Sequence, residues 1–328
     1  MKIKNWLLYA FVTTCTSVIV VFFLMIWSDT YSNIHTDRTE FYTEPNKNVK
    51  KVEYILENKM KYDSFIFGSS RVGSINPLKI DNGNYYNMTY SEGIPHEHLI
   101  NIQLFIDSGI KIKNLLIGLD EFSYQVSFIK HQNQGLTKAH YLATKTDFII
   151  YCRELYLRFP LGEDRHHIKK KLFGADSFKL NVSSQSTAYK KAQESFSRVK
   201  YETPEHLNNP TFNKPTFYSG NTLNDTIKDI QAIKNICTNN KINCIFFINP
   251  IHKKTYEFSN LKLLKTFRYN LSQITPYYDF SYPNKISEDN SYWIETSHYT
   301  LEVGGMILDK IHKNKTNNNF GKYIKGSR

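Results

Sequence analysis

The sequence predicts an α/β protein built on a mostly parallel sheet and preceded by one N-terminal transmembrane helix. Two observations carry the prediction. Between Ser64 and Asp120 the order is strand, strand, helix, strand, and helix and strand patterns alternate again from Thr222; that alternation favours parallel strands joined by helices. The run Trp6 to Trp27 contains no charged residue, and a helix of that length spans a hydrocarbon core of about 30 Å.

The apolar run ends Leu24-Met25-Ile26-Trp27-Ser28-Asp29, without the small residues that mark a signal-peptide cleavage site. Residues 1–28 therefore read as an uncleaved anchor. Lys2 and Lys4 place the N-terminus in the cytoplasm and the remaining chain outside the plasma membrane, as a single-pass protein. Residues 29–55 are polar and mixed and read as a linker leading into a short helix from about Val49 to Lys59. The globular domain is expected over 56–312, followed by a basic, disordered tail at 313–328 whose composition is rich in Asn and Lys.

Within the domain, Ser64 to Phe67 is an apolar strand, Tyr85 to Met88 a second, and Leu115 to Asp120 a third. Pro95 opens a helix that places Leu99, Ile102 and Ile106 on one face and ends before Gly109. From about 125 to 221 the pattern weakens into polar sequence with basic clusters, Arg165-His166-His167 and Lys169-Lys170-Lys171, and reads as an insertion covering a site. Leu223, Ile227, Ile230, Ile233 and Cys237 then recur at helical spacing, with Thr222 and Asp225 as a capping pair. Cys244 to Ile248 is a strand, 259–272 a helix, Tyr277 to Phe280 a last strand. Thr300 is placed to cap a final helix.

The chain has 328 residues, 41% of them hydrophobic, and a formal charge of +12 from 42 basic and 30 acidic side chains. Such a balance suits an anionic polymer or lipid surface, and no motif for nucleic acid accompanies it. Cys237 and Cys244 flank a helix-to-strand turn, where either a disulfide or two buried thiols fit. His96 and His98 lie two apart on a predicted helix and do not share a face. With no acidic partner at ligand spacing, no metal and no cofactor is expected.

Two short stretches carry chemistry. Gly68-Ser69-Ser70-Arg71 follows the first core strand, where α/β sheets place their ligands. Glu295-Thr296-Ser297-His298 precedes the last helix. A serine is a weak nucleophile without a base, and a histidine is oriented by a carboxylate at its other nitrogen. One of the two serines, Ser69 or Ser70, with His298 and Glu295, thus makes up the catalytic candidates. His252, beyond the strand ending at Asn249-Pro250, is the competing base.

These stretches look like the first and last blocks of the SGNH/GDSL hydrolase superfamily. The resemblance covers about 60–125 and 222–312 and points to the membrane-anchored bacterial branch, similar to alginate O-acetyltransferases and the teichoic-acid D-alanylation esterase-like protein. It implies a three-layer α/β/α flavodoxin-like fold and serine-based acyl chemistry, with Ser70, the third residue of the Gly-x-Ser block, as nucleophile. The second block implies a glycine for the oxyanion site, and Gly93 is the candidate. The third block, Gly-x-Asn-Asp in the family, is Gly118-Leu119-Asp120-Glu121 here. An ionised Asp120 donates no hydrogen bond, so Arg71 is expected to pair with it. Glu295 stands where most members have aspartate.

The expected function is a membrane-anchored serine esterase or O-acyltransferase acting on a cell-surface polysaccharide or other acylated glycan, with a membrane-bound acyltransferase as a possible partner. The alternative is a catalytically inactive glycan-binding or assembly protein on the same fold. A basic surface adaptor is the third reading. If the anchor reading holds, protease added to spheroplasts digests the domain while residues 1–28 stay with the membrane; full protection, or a soluble form lacking 1–28, contradicts it.

Overall fold

The computed structural model describes residues 2–174, 177–180, 201–215, 217–313 and 320–327. Met1, parts of the expected insertion (175–176, 181–200 and 216) and parts of the expected tail (314–319 and 328) lie outside the described residues. The principal elements in chain order are α1 (Lys2–Ser28), β1 (Glu40–Phe41), α2 (Lys47–Glu57), β2 (Ser64–Phe67), β3 (Tyr85–Asn87), α3 (Pro95–Asp107), β4 (Asn114–Leu119), α4 (Phe148–Tyr156), α5 (Glu163–Phe173), β5 (Phe178–Lys179), α6 (Leu223–Asn239), β6 (Asn243–Ile248), α7 (Leu261–Ile274), β7 (Tyr277–Asp279), β8 (Trp293–Glu295), β9 (His298–Tyr299), α8 (Leu301–Lys313) and β10 (Lys322–Ile324).

A six-stranded sheet in the order β10-β7-β6-β4-β2-β3 organises the chain. All its pairings are parallel except β10 with β7. The central strands β2 and β4 are buried throughout, and side chains along the sheet alternate between two cores. Phe65, Phe67, Leu115, Ile117, Phe246 and Ile248 face a core completed by α2, α3, α6 and α7. Ile66, Leu116 and Phe247 face the other, completed by Val303, Ile307 and Leu308 of α8 and by Trp293 and Tyr299. The sequence therefore reads as continuous apolar runs, because no face of the central strands meets water.

Helix α1 is long and apolar enough to cross a membrane. Its exit is a folded turn, not the loose linker expected over 29–55. Asp29 is buried and accepts hydrogen bonds from the backbone N–H groups of Asn33, Ile34 and His35 and from the Tyr156 hydroxyl. Asn46 caps α2 through the Val49 N–H and donates to Asn33 and to the carbonyls of Gly135 and Lys138. Polar composition concealed this, because the side chains satisfy backbone groups where a core would use apolar contacts.

The insertion also differs from a simple cover. Its first half, with α4 and α5, packs on the end of α1 through Tyr151, Leu155, Tyr156 and Ile168 against Met25. Among the described residues its last part approaches the predicted site: Lys214 accepts a hydrogen bond from Thr296, His206 meets the Trp293 carbonyl, and Tyr218 packs on Phe122 with tilted rings. Two expected caps do not form. Thr222 makes no side-chain cap on α6, its hydroxyl bonding instead to the Val126 carbonyl, and the Thr300 hydroxyl has no partner among the described residues. Cys237 and Cys244 are free thiols.

The tail expected to be disordered contributes β10, which covers the open edge of β7. Phe320 is 6% exposed and packs on Phe280 at 5.0 Å between ring centroids. Gly321 makes that approach possible: its φ is +78°, and a Cβ there would lie 2.3 Å from the Phe280 ring. Asn- and Lys-rich neighbours hid this short apolar motif. Phe320→Ala should cost on the order of 3 kcal/mol, and deletion of 314–328 at least as much, by denaturant unfolding of the full chain in detergent. An unchanged midpoint for the deletion would remove β10 from the stability of the fold.

Candidate active site

The chain enters the sheet at β2, moves to one side for β3, then crosses to the other side for β4. The turns after β2 and β4 thus diverge, and a crevice opens between them at the carboxyl ends of the strands. Each strand end carries a glycine for a steric reason, Gly68 directly after β2 and Gly118 as the penultimate residue of β4. A Cβ on Gly68 would lie 2.6 Å from a Val72 methyl and 3.1 Å from the Gly118 carbonyl oxygen, and one on Gly118 would lie 2.5 Å from the same methyl. Val72 fills the notch that the two glycines leave.

Ser69 ends the extended segment and caps the 3₁₀ turn Ser70–Ser74, its hydroxyl accepting from the Arg71 N–H at 3.2 Å. Capping thus falls to Ser69, which is buried, and leaves the Ser70 side chain, which is exposed, to point elsewhere. The Ser70 Oγ lies 2.7 Å from His298 Nε2, across a sequence separation of 228 residues.

Glu295 and His298 are cross-strand partners in the β8–β9 hairpin. Glu295 Oε1 meets His298 Nδ1 in a close contact, and its other oxygen accepts the Ser297 N–H at 2.8 Å. Burial pushes the Glu295 carboxyl up, but the hydrogen bond and charge of His298 and the Ser297 N–H together hold it below its ordinary value. An ionised carboxylate therefore sits behind the imidazole, and the longer reach of glutamate is accommodated by the hairpin. A serine hydroxyl, an imidazole and a carboxylate in this order can generate a nucleophile, hold the tautomer and stabilise the imidazolium.

Arg71 joins the two halves of the site. It is 1% exposed. Its Nη1 reaches Asp120 at 3.1 Å, as the sequence led one to expect. Its principal partner is Glu121, held by both Nη atoms in a fork. Its Nε donates to the Ser297 carbonyl at 2.8 Å, inside the hairpin that carries His298. Sequence reasoning passed over Glu121, although an acid next to Asp120 at a strand end and one adjacent arginine were visible.

Burial pushes the Asp120 carboxyl up, Arg71 opposes this and Glu121 adds to the rise, so the group titrates above its ordinary value. Asp120 Oδ1 also accepts from Asn249, whose own oxygen accepts the Tyr299 hydroxyl. Asp120 is thus part of the framework beneath the site.

The end of β3 and the loop after it buttress the serine turn. Asn87 donates to the carbonyls of Val72 and Ile75, and Thr89 to that of Ser69 at 2.7 Å. Gly93 is close by: a Cβ there would lie 2.7 Å from the Gly68 carbonyl oxygen. His252, the competing base, caps the helix Lys253–Phe258, meets Asn290 at 3.1 Å and is 3% exposed. His98 is fully buried against the Tyr90 hydroxyl, and burial pushes it down to about 3. Among the described residues no group of three or more His, Cys, Asp or Glu is placed to hold a metal ion.

No family model matches this chain, and no curated protein is similar to it at a significant level.

Two acids share one arginine here, and the raised Asp120 carboxyl fixes the sign of a pH effect. Its contribution to stability is fully present below its ordinary value and is lost as pH rises through the raised one. Asp120→Asn should therefore flatten that loss and keep or raise the melting temperature at pH 7. Glu121→Gln should lower it, and Arg71→Ala, which strands both carboxylates, should cost about 3–5 kcal/mol. Thermal melts across pH check this, and an Asp120→Asn loss equal to that of Glu121→Gln would contradict it.

Proposed function

We propose that this protein is a membrane-anchored serine esterase or O-acyltransferase of the SGNH/GDSL type, acting outside the plasma membrane on an acylated cell-surface glycan. The observation that carries the reading is the 2.7 Å contact of Ser70 Oγ with His298 Nε2, backed by Glu295. The strand order supports it: taken along the chain, the five parallel strands follow the flavodoxin-like order 2-1-3-4-5, with Ser70 at the switch point. The two cores on opposite faces agree with three α/β/α layers. Helix α1 supports anchoring, and the +12 charge suits an anionic polymer.

In the proposed reaction the Ser70 proton moves to His298 Nε2 as Oγ bonds to the acyl carbon. The tetrahedral oxyanion is met by the Ser70 amide, with Gly93 as the candidate second donor. The bond to the leaving oxygen breaks as His298 returns the proton to it. Water or a sugar hydroxyl then gives its proton to His298 and attacks the acyl carbon, and Ser70 leaves with that proton. Water makes the protein an esterase, a sugar hydroxyl an O-acyltransferase, for which a membrane-bound acyltransferase would supply the acyl group. Framework pairing of Asp120 with Arg71 and Asn249 takes this position out of oxyanion stabilisation, so the hole relies on backbone donors.

Ser70→Ala should abolish labelling by serine-directed phosphonates and esterase activity, with Ser69→Ala retaining much of both. His298→Ala should be nearly as damaging as Ser70→Ala, since such residues act as a unit. Glu295→Gln should cost less, because the Ser297 amide still holds the side chain. Active-site labelling of the purified full chain, with acylation of the surface polymer as the companion measurement, checks this. If Ser70→Ala labels like wild type and leaves the polymer unchanged, the enzyme reading fails and the glycan-binding reading replaces it.

A further inference from the structure

We infer that the first half of the insertion is a membrane-docking collar, in which α4, α5 and the loop between them sit in the lipid interface around the exit of α1. The inference rests on the reading of α1 as a membrane span. Residues from Lys4 to Ser28 form that apolar helix. The side chains of α4 and α5 pack against its last two turns, on Met25 with Val21, Phe22, Leu24 and Ile26 alongside. At 1.5 Å of rise per residue, Val21 lies roughly 10 Å short of Ser28 along the axis. An element that touches α1 over that stretch lies at the depth of the headgroup and upper acyl region, where interfacial elements bury apolar side chains by about 5–10 Å.

The composition of the collar fits that depth. Ile149 is 77% exposed, Phe159 63% and Phe173 78%, with Leu157, Leu161 and Leu172 also exposed. These side chains would meet water if the insertion stood clear of the bilayer. Exposed Arg153, Arg165 and Lys169 lie on the same two helices and their loop, and Arg165 stacks over Phe159 at 5.2 Å. Apolar and basic side chains interleaved in this way favour anionic lipid.

The exit of α1 adds a polar pocket. Arg38 donates to the Trp27 and Ser28 carbonyls, and Lys171 donates to Trp27 and lies over its ring. These cations meet the negative end of the helix, where its last carbonyls lack partners within the helix. Beside them is a cavity of about 280 Å³ lined by Arg38, Tyr42, His167 and Lys171, with Asp29 as an acid in its wall. Burial and the neighbouring Arg38 push the Lys171 ammonium down to about 8. An anionic headgroup there would relieve the crowding of positive charge.

The collar would fix the height and tilt of the site above the membrane, which a single helix with a loose tether would not.

The test uses the full chain in phosphatidylcholine vesicles with and without phosphatidylglycerol, each carrying a lipid with a photoactivatable acyl chain. After illumination and digestion, adducts are expected in α1 and in peptides from 145–173, and not in peptides from 50–62 or 253–269. Phosphatidylglycerol should increase the adducts at 145–173. Ile149→Asp with Phe159→Asp should remove those at 145–162 and leave those in α1; both positions are exposed, and an unchanged melting temperature shows the variant folded. Adducts confined to α1 in the wild type overturn the collar and leave the anchor standing. Absence of adducts from α1 overturns the anchor reading and the collar with it. Crosslinks between copies through 145–173 without lipid adducts assign the surface to a second copy and overturn the proposal.

Discussion

Arg71 carries a positive charge that has no contact with bulk water, and the architecture around the site follows from that. A buried guanidinium is tolerated only where its five donors and its charge are met. Asp120 and Glu121 meet it from the end of β4, and the Ser297 carbonyl meets it from the hairpin that carries His298. One side chain therefore ties the serine turn, the adjacent strand end and the histidine hairpin into a single unit.

The sheet prepares the place for that unit. Strand order reverses between β2 and β4, and paired glycines at their ends let Val72 close the floor of the crevice. Thr89 and Asn87 hold the serine turn from the third side. The Ser70 side chain is thereby exposed while the residues before and after it, Ser69 and Arg71, are buried. Rigid support beneath an exposed reactive group is the condition for pre-organised chemistry.

At the other end of the chain the same logic operates with different groups. The carbonyls at the end of α1 are met by Arg38 and Lys171, far apart in sequence, and Asp29 gathers three backbone amides into the turn that follows. Helix α1, its folded exit and the described first half of the insertion pack together through Met25, Tyr151, Leu155, Tyr156 and Ile168 and through the hydrogen bond from Asn33 to the Gly135 carbonyl.

The sequence by itself determined the elements whose signal is local. Apolar runs marked the central strands, Pro95 and Gly109 bounded α3, and an uncharged run marked α1. It also singled out the pair Ser69 and Ser70, with Glu295 and His298, as candidates, because residue type and the place after a strand or before a helix are readable without a fold, and the family resemblance pointed to Ser70 of the two. Tertiary structure alone decided what depends on partners distant in the chain. The choice of Ser69 as cap and Ser70 as the residue facing His298 needed two segments brought together over 228 positions. Glu121 became the main partner of Arg71 because the fork of the guanidinium fits one carboxylate at both nitrogens, a matter of orientation that spacing does not encode. The stretch 29–46 read as a linker because its order comes from polar side chains on backbone groups, which leave no hydrophobic period. Residues 322–324 read as tail because a three-residue edge strand is stable only where an open edge already exists to receive it.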